Sequence, residues 1–277
     1  MKLRRTSAVA IAAVAALGLA ACGDDGGGNG GGAAAGGEKV KVGIKFDQPG
    51  LGLKTGATYS GFDVDVANFI AEELDLEVEF VEAVSSQRET LLKTGQVKYI
   101  VGTYSITDKR MADVSFAGPY FIAGQDLLIR ADDTSITGTE SLAGKKLCSV
   151  KGSTSAVNVQ KEVPGVNLQE YNTYSLCVDA LKSGAVDALT TDDTILAGYA
   201  AQDANKGKLK VVGNTFSTEN YGVGVQKGDT EFCNQVVTAL QKFIDDGKWE
   251  ESVQKWLGPA NYTPGEGNPP TPTCQSA

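Results

Sequence analysis

Apolar and polar positions along this chain switch repeatedly between a period of two and a period of about 3.6. Residues 39–45, Lys-Val-Lys-Val-Gly-Ile-Lys, alternate and predict a first strand. A turn-rich stretch, Asp47-Gln48-Pro49-Gly50-Leu51-Gly52, follows it. Gly61-Phe62-Asp63-Val64-Asp65-Val66-Ala67 opens a helix that runs to about Leu74, and 76–81 reads as a strand. Ser85, Ser86 and Gln87 cap a helix over 88–93 that Gly95 ends. The apolar run 99–101 then leads as a strand end into Gly102-Thr103-Tyr104-Ser105-Ile106-Thr107-Asp108-Lys109-Arg110, a turn and a helix start. Residues 124–130 predict another strand. The character restarts near Asp132, with a short helical turn over 141–144. Strands are expected over 145–150, 166–171, 185–191, 209–212 and 222–226. Helices are expected over 173–182, from the Asp192-Asp193 cap to Ala201, over 229–246 and over 249–257. Alternating strand and helix predict the α/β class with mostly parallel sheets.

One internal echo suggests two similar lobes. Leu92-Lys93-Thr94-Gly95-Gln96-Val97-Lys98 matches Leu181-Lys182-Ser183-Gly184-Ala185-Val186-Asp187, and each leads through a strand to a polar loop. In open α/β sheets ligands sit at the C-terminal ends of strands. Two lobes with facing strand ends would make a cleft.

The amino terminus changes the picture of where this body resides. Lys2, Arg4 and Arg5 precede an apolar run over 8–21 that ends at Cys22. This is the pattern of a secretory signal, and the run is short for a membrane span. Leu19-Ala20-Ala21-Cys22 resembles the bacterial lipobox, which implies a lipidated (palmitate-bearing) Cys22 and a body held at the outer face of the cell membrane. The Gly-rich stretch 23–38 predicts a flexible tether, and fifteen such residues span roughly 20 Å on average. The chain carries a net charge of −9. Loss of the three cations Lys2, Arg4 and Arg5 with the signal takes it to −12. That argues against nucleic acid as a partner. An anionic ligand would therefore need a locally basic pocket.

Candidate chemistry is narrowed by what is missing. The sequence has no histidine, which removes Ser-His-Asp and Cys-His catalysis and His-based zinc sites. Cys148, Cys177, Cys233 and Cys274 show no C-x-x-C spacing, so no metal or cofactor is expected. In an exported body they suggest two disulfides, with three connectivities open. We favour Cys148–Cys177 and Cys233–Cys274, which close local loops; the second would pin the Pro-rich tail, 261–277, onto a helix. The stretch ending at Arg110 offers hydroxyls, free N–H groups at a helix start and a guanidinium. That set suits a carboxylate.

Several ordered motifs resemble the bacterial extracellular solute-binding proteins of family 3, the polar amino-acid binders of ABC importers. Gly61-Phe62-Asp63-Val64-Asp65-Val66 resembles their G-F-D-x-D motif, and Ser105-Ile106-Thr107-Asp108-Lys109-Arg110 their [ST]-I-[TN]-x-x-R, followed by Phe116 to Tyr120 as F-[AS]-x-P-Y. Lys151-Gly152-Ser153-Thr154, Val186 to Asp192 and Tyr221-Gly222-Val223-Gly224 match further motifs of the family. The Lys45 to Gly52 stretch, with Cys148 and Cys177, is similar to an actinobacterial glutamate-binding branch. Lys98 departs from the family's G-x-V-D and is read as a surface residue.

The resemblance implies a two-lobe, type II periplasmic-binding-protein-like fold with crossovers near 129–130 and 223–226. Lobe one would comprise 39–129 and 226–260, and lobe two 130–225. It also implies residue roles. Arg110 would fork an α-carboxylate, helped by Ser105 and the N–H of Thr154. Asp192 would pair with the α-ammonium, beside Thr191, and the carbonyl of Thr103 would take another proton. Tyr104 or Phe46 would cover the aliphatic stem. Lys45, Arg88 and Lys151 are candidate cations for a side-chain carboxylate. The expected function is capture of L-glutamate, by a monomer, for delivery to an ABC permease. Aspartate and glutamine are alternatives as ligand. Rival classes are an exported dehydratase-like enzyme using Asp47 or Asp193, and a sensor ectodomain.

Overall fold

The computed structural model describes residues 37–277. The signal segment, Cys22 and the tether up to residue 36 lie outside the described residues. The chain opens with β1 (Glu38–Ile44), followed by three short strands, β2 (Asp47–Gln48), β3 (Gly52–Thr55) and β4 (Thr58–Ser60). Then come α1 (Phe62–Glu73), β5 (Leu76–Glu82), α2 (Arg88–Lys93), β6 (Tyr99–Ile100), α3 (Asp108–Met111), β7 (Val114–Ala123) and β8 (Gln125–Arg130). The middle of the chain forms β9 (Lys146–Val150), α4 (Thr154–Glu162), β10 (Asn167–Tyr171), α5 (Tyr174–Lys182), β11 (Ala188–Asp192), α6 (Asp193–Ala201) and β12 (Leu209–Val211). The chain closes with β13 (Glu219–Gln226), α7 (Thr230–Asp245), α8 (Lys248–Trp256) and β14 (Thr273–Gln275).

These strands build two principal sheets, ordered β14-β7-β13-β6-β1-β5 and β10-β9-β11-β8-β12. Each sheet is mixed. β5, β1 and β6 are parallel, as are β10, β9 and β11, whereas β7, β13, β14, β8 and β12 pair antiparallel. Antiparallel pairing follows where the chain runs directly from one sheet into the other instead of returning through a helix. The chain changes sheet at Gly124 and again between Val211 and Glu219. Both changes precede the positions 129–130 and 223–226 expected from the sequence, because β8 lies wholly in the second sheet and β13 wholly in the first. Val114 to Arg130 is a nearly continuous buried run, so no change of period marks the switch.

The stretch 47–52, read as a turn-rich loop, instead opens the small antiparallel sheet β2-β3-β4 that runs to Ser60. Strands of two to four residues are too short to show a period. The tail also returns to the body. β14 pairs with β7, and the side-chain amide of Asn268 bonds both the N–H and the carbonyl of Ile122 at 2.9 and 2.8 Å. Lys98 is half-buried and ion-paired with Asp229 at 3.2 Å.

Helix α7 packs one face on the first sheet through Phe232, Val236, Ala239, Leu240 and Phe243, the stripe of an amphipathic helix. Phe62 at the start of α1 meets Phe121, Phe243 and Trp249 edge to face. The second aspartate of the G-F-D-x-D motif, Asp65, accepts from Ser252 Oγ and Trp256 Nε1 of α8 at 2.8 and 2.6 Å. Both favoured disulfides are present, Cys148–Cys177 joining β9 to α5 and Cys233–Cys274 joining α7 to β14.

The Cys233–Cys274 bond closes a 41-residue separation. Replacing both cysteines by alanine is expected to cost about 2–4 kcal/mol of stability. Urea unfolding reads that loss, and amide exchange should show β14 released before the rest of the first sheet.

Candidate ligand-binding site

The site is built on the loop that leaves β6. Thr103 takes a left-handed backbone conformation, φ 45°, which is disfavoured for a β-branched residue. Three neighbours hold it there. Its N–H donates to Asp63 Oδ2 at 3.0 Å, its hydroxyl pairs with the Gln48 amide, and its carbonyl accepts from Arg88 Nη1 at 3.4 Å. Asp63 is itself held by Tyr120, whose hydroxyl donates to Oδ1 at 2.8 Å. Burial raises the Asp63 carboxyl to about 6, against the lowering effect of these two donors. So the first aspartate of G-F-D-x-D, which the sequence left without a role, fixes the backbone of the cleft loop.

Arg88 lies only 2% exposed on α2 and bonds the carbonyl of Gly102 at 2.9 Å as well as that of Thr103. Arg110 is also buried. Its Nη1 donates to the Ser105 carbonyl at 2.6 Å, its Nη2 to the Gly152 carbonyl at 3.2 Å, and its Nε lies 3.4 Å from Glu89. The Tyr104 ring sits beneath both guanidiniums, 4.2 Å from that of Arg88 and 4.9 Å from that of Arg110. Its π face offsets some of their mutual repulsion. Burial and then the nearby Arg88 lower Arg110 to about 10. Lys45, at the end of β1, is 1% exposed and its Nζ has no hydrogen-bond partner among the described residues. Burial pulls it down to about 8, with Asp47 acting in the opposite sense and Arg88 in the same one.

The facing wall comes from the second sheet. Ser153 caps α4 by accepting from the Ala156 N–H at 3.0 Å. The next residue, Thr154, sets its hydroxyl 3.2 Å from that of Ser105. Ser155 donates to Asp192 Oδ1 at 3.3 Å and its hydroxyl lies 3.3 Å from that of Thr191. Asp192 Oδ2 accepts from the Tyr221 hydroxyl at 2.7 Å. Burial, followed by the charge of Glu219, holds the Asp192 carboxyl well above the usual carboxylate range. Asp193 is used differently. It accepts from the N–H groups of Thr194 and Gly124 and from the Tyr262 hydroxyl.

The structure thus brings Lys45, Arg88, Thr103, Tyr104, Ser105 and Arg110 together on one wall, and Thr154, Thr191 and Asp192 on the other. Lys151 stays exposed, on a groove of about 550 Å³ beside Arg110, Glu89 and Thr154. Phe46 is half-buried and packs against Tyr59 and Lys54. Tyr104 supports the arginines. Asp63, Tyr221, Ser155 and Glu89 escaped the sequence reading, because their roles are bonds to other site residues. Only the motif membership of Asp63 and Tyr221 marked them.

Cations gather on the first wall and a buried carboxylate, Asp192, stands on the second. A zwitterion with an extra anionic group matches that division, since each charge would meet an opposite partner away from water.

The chain is 44% identical to the glutamate-binding protein GluB of Corynebacterium efficiens, over 97% of this chain and 96% of that one. It is 36% identical to the ABC transporter glutamine-binding protein GlnH of Bacillus subtilis, over 79% of this chain and 81% of that one. A solved ancestral arginine-binding protein bound to glutamine superposes with a TM-score of 0.75 at 35% identity, covering 79% of this chain and 98% of that one. Residues 40–259 match the family model itself, and the chain belongs to the bacterial extracellular solute-binding proteins, family 3.

Proposed function

We propose that this protein captures L-glutamate between two lobes and hands it to an ABC importer. The observation that carries the reading is the separation of buried charge: Lys45, Arg88 and Arg110 on one wall, Asp192 on the other. Arg110, Ser105 and the α4 amino terminus would take the α-carboxylate. Asp192 would take the α-ammonium, its raised carboxyl returning to the ionised form against that charge. Lys45, with an unpartnered Nζ, would take the side-chain carboxylate. The 44% identity to a glutamate-binding protein supports the same ligand.

The two lobes would be the two sheets with their helices, closing about the chain near Gly124 and 212–218. Delivery would be from the outer face of the membrane, the body monomeric and anchored by lipid on Cys22. We propose no bond chemistry. The carboxylates that a dehydratase-like reaction would draw on, Asp47 and Asp193, are both engaged by backbone N–H donors.

Arg110→Ala is expected to weaken every amino acid by on the order of a hundredfold or more, since it removes a forked charge-assisted contact. Lys45→Met should weaken glutamate by roughly tenfold or more and leave glutamine nearly unchanged, one charged hydrogen bond being worth about 1.5–3 kcal/mol. Arg88→Ala should weaken both ligands, because Arg88 also holds the carbonyls of Gly102 and Thr103. Calorimetry with the two ligands decides; equal losses in Lys45→Met would remove Lys45 from the side-chain subsite.

The site also sets a pH dependence. Lys45 is charged in the empty site below about 8 and neutral above it. Binding a carboxylate favours the charged form, so glutamate affinity should hold up to that pH and fall above it. Glutamine affinity should show no such fall over the same range, and titrations at pH 7 and pH 9 compare them directly.

A further inference from the structure

The loop after β1 reaches across to the second wall. Asp47 Oδ2 accepts from the backbone N–H groups of Tyr174 and Ser175, at 2.8 and 3.2 Å. These are the first two residues of α5, whose own N-cap residue, Thr173, makes no capping bond. The donors that a helix start leaves unpaired are therefore met by a carboxylate more than a hundred residues away in sequence. Tyr199 of α6 adds a second tie, its hydroxyl donating to the Asp47 carbonyl and lying 3.3 Å from Oδ2. Next to it, Pro49 packs so closely on α6 that a Cβ at Gly198 would collide with the Pro49 carbonyl oxygen. Tyr174, seated by this contact, places its ring 6.0 Å from Lys45 Nζ.

We propose that Asp47 is a positioning residue for ligand capture: its carboxylate latches the loop after β1 onto the start of α5 and so holds the two walls closed, without touching the ligand. The proposal rests on the amino-acid-binding reading of the cleft. A latch of this kind stabilises the closed form equally for any occupant. Its signature is a common factor across ligands, unlike the glutamate-selective effect assigned to Lys45. Asp47 bonds backbone donors of α5, and because its charge also favours the charged form of Lys45, the two ligands are compared at pH 6, where Lys45 is charged with or without it.

Stopped-flow binding and amide exchange test it on the exported body. Asp47→Ala should speed dissociation of glutamate and of glutamine by the same factor, roughly tenfold for two charge-assisted bonds that are lost. Association should change by less than about twofold, as expected when contacts form after encounter. Gly198→Ala, which blocks the docking of Pro49, should reproduce the effect, and Asp47→Asn should be milder because its amide oxygen still accepts. Amides of Tyr174 and Ser175 should exchange faster in ligand-free Asp47→Ala than in the unaltered protein. Unchanged dissociation in both Asp47→Ala and Gly198→Ala overturns the latch, as does a loss confined to glutamate. If Asp47→Ala proves unfolded by circular dichroism, Tyr199→Phe and Gly198→Ala decide in its place. Should neither amino acid bind the unaltered protein, the ligand reading fails, and the amide exchange of Tyr174 and Ser175 still decides the latch.

Discussion

A single backbone conformation underlies the cleft. Thr103 stands with φ 45°, and the bonds to Asp63, Gln48 and Arg88 hold it there. A left-handed residue turns the chain sharply after β6. That turn brings Tyr104 beneath two guanidiniums and sets Ser105 against Tyr221 in a one-residue antiparallel bridge. The Ser105 carbonyl in turn orients Arg110. Asp63 reaches this loop from the first turn of α1, and Tyr120 reaches Asp63 from β7. Three elements distant in sequence therefore converge on one strained peptide. The strain persists because the surroundings over-determine it, as is common where a ligand is gripped.

The same wall carries a second cost. Lys45, Arg88 and Arg110 are buried near one another, and Glu89 lies 3.4 Å from Arg110. Taking an ion out of water costs several kcal/mol even after relaxation. The lowered Lys45 and Arg110 report that cost, with burial as the leading cause in both. On the facing wall the raised Asp192 reports its mirror image, a buried carboxylate near the charges of Glu219 and Asp193. Both walls are destabilised by charge that an acidic amino acid would neutralise.

The supports extend beyond the cleft. Asp65 ties α1 to α8, so the helix that presents Asp63 is itself anchored at its other face. Cys148–Cys177 ties β9 to α5, the helix whose start meets Asp47. Cys233–Cys274 and Asn268 hold the tail on β7, the strand that runs into the change of sheet at Gly124. Local motifs and covalent links thus converge on a small number of elements that present charge.

Much of this was legible in the chain. Period-two and helical runs located most principal strands and helices, since a buried face imprints its spacing on sequence. Arg110 and Asp192, both singled out in the sequence, are buried on facing walls. The short strands over 47–60 and β14 were not legible, because two to four residues carry no period. Of the residues the resemblance offered to the ligand, Phe46 packs on Tyr59 and Lys151 stays exposed. The sequence by itself determined which residue types could meet an amino acid. Tertiary structure alone decided which of them are buried, which lack a partner, and that Asp47 caps a helix across the cleft. Burial and pairing are properties of neighbours brought together from distant parts of the chain, and no local pattern encodes them.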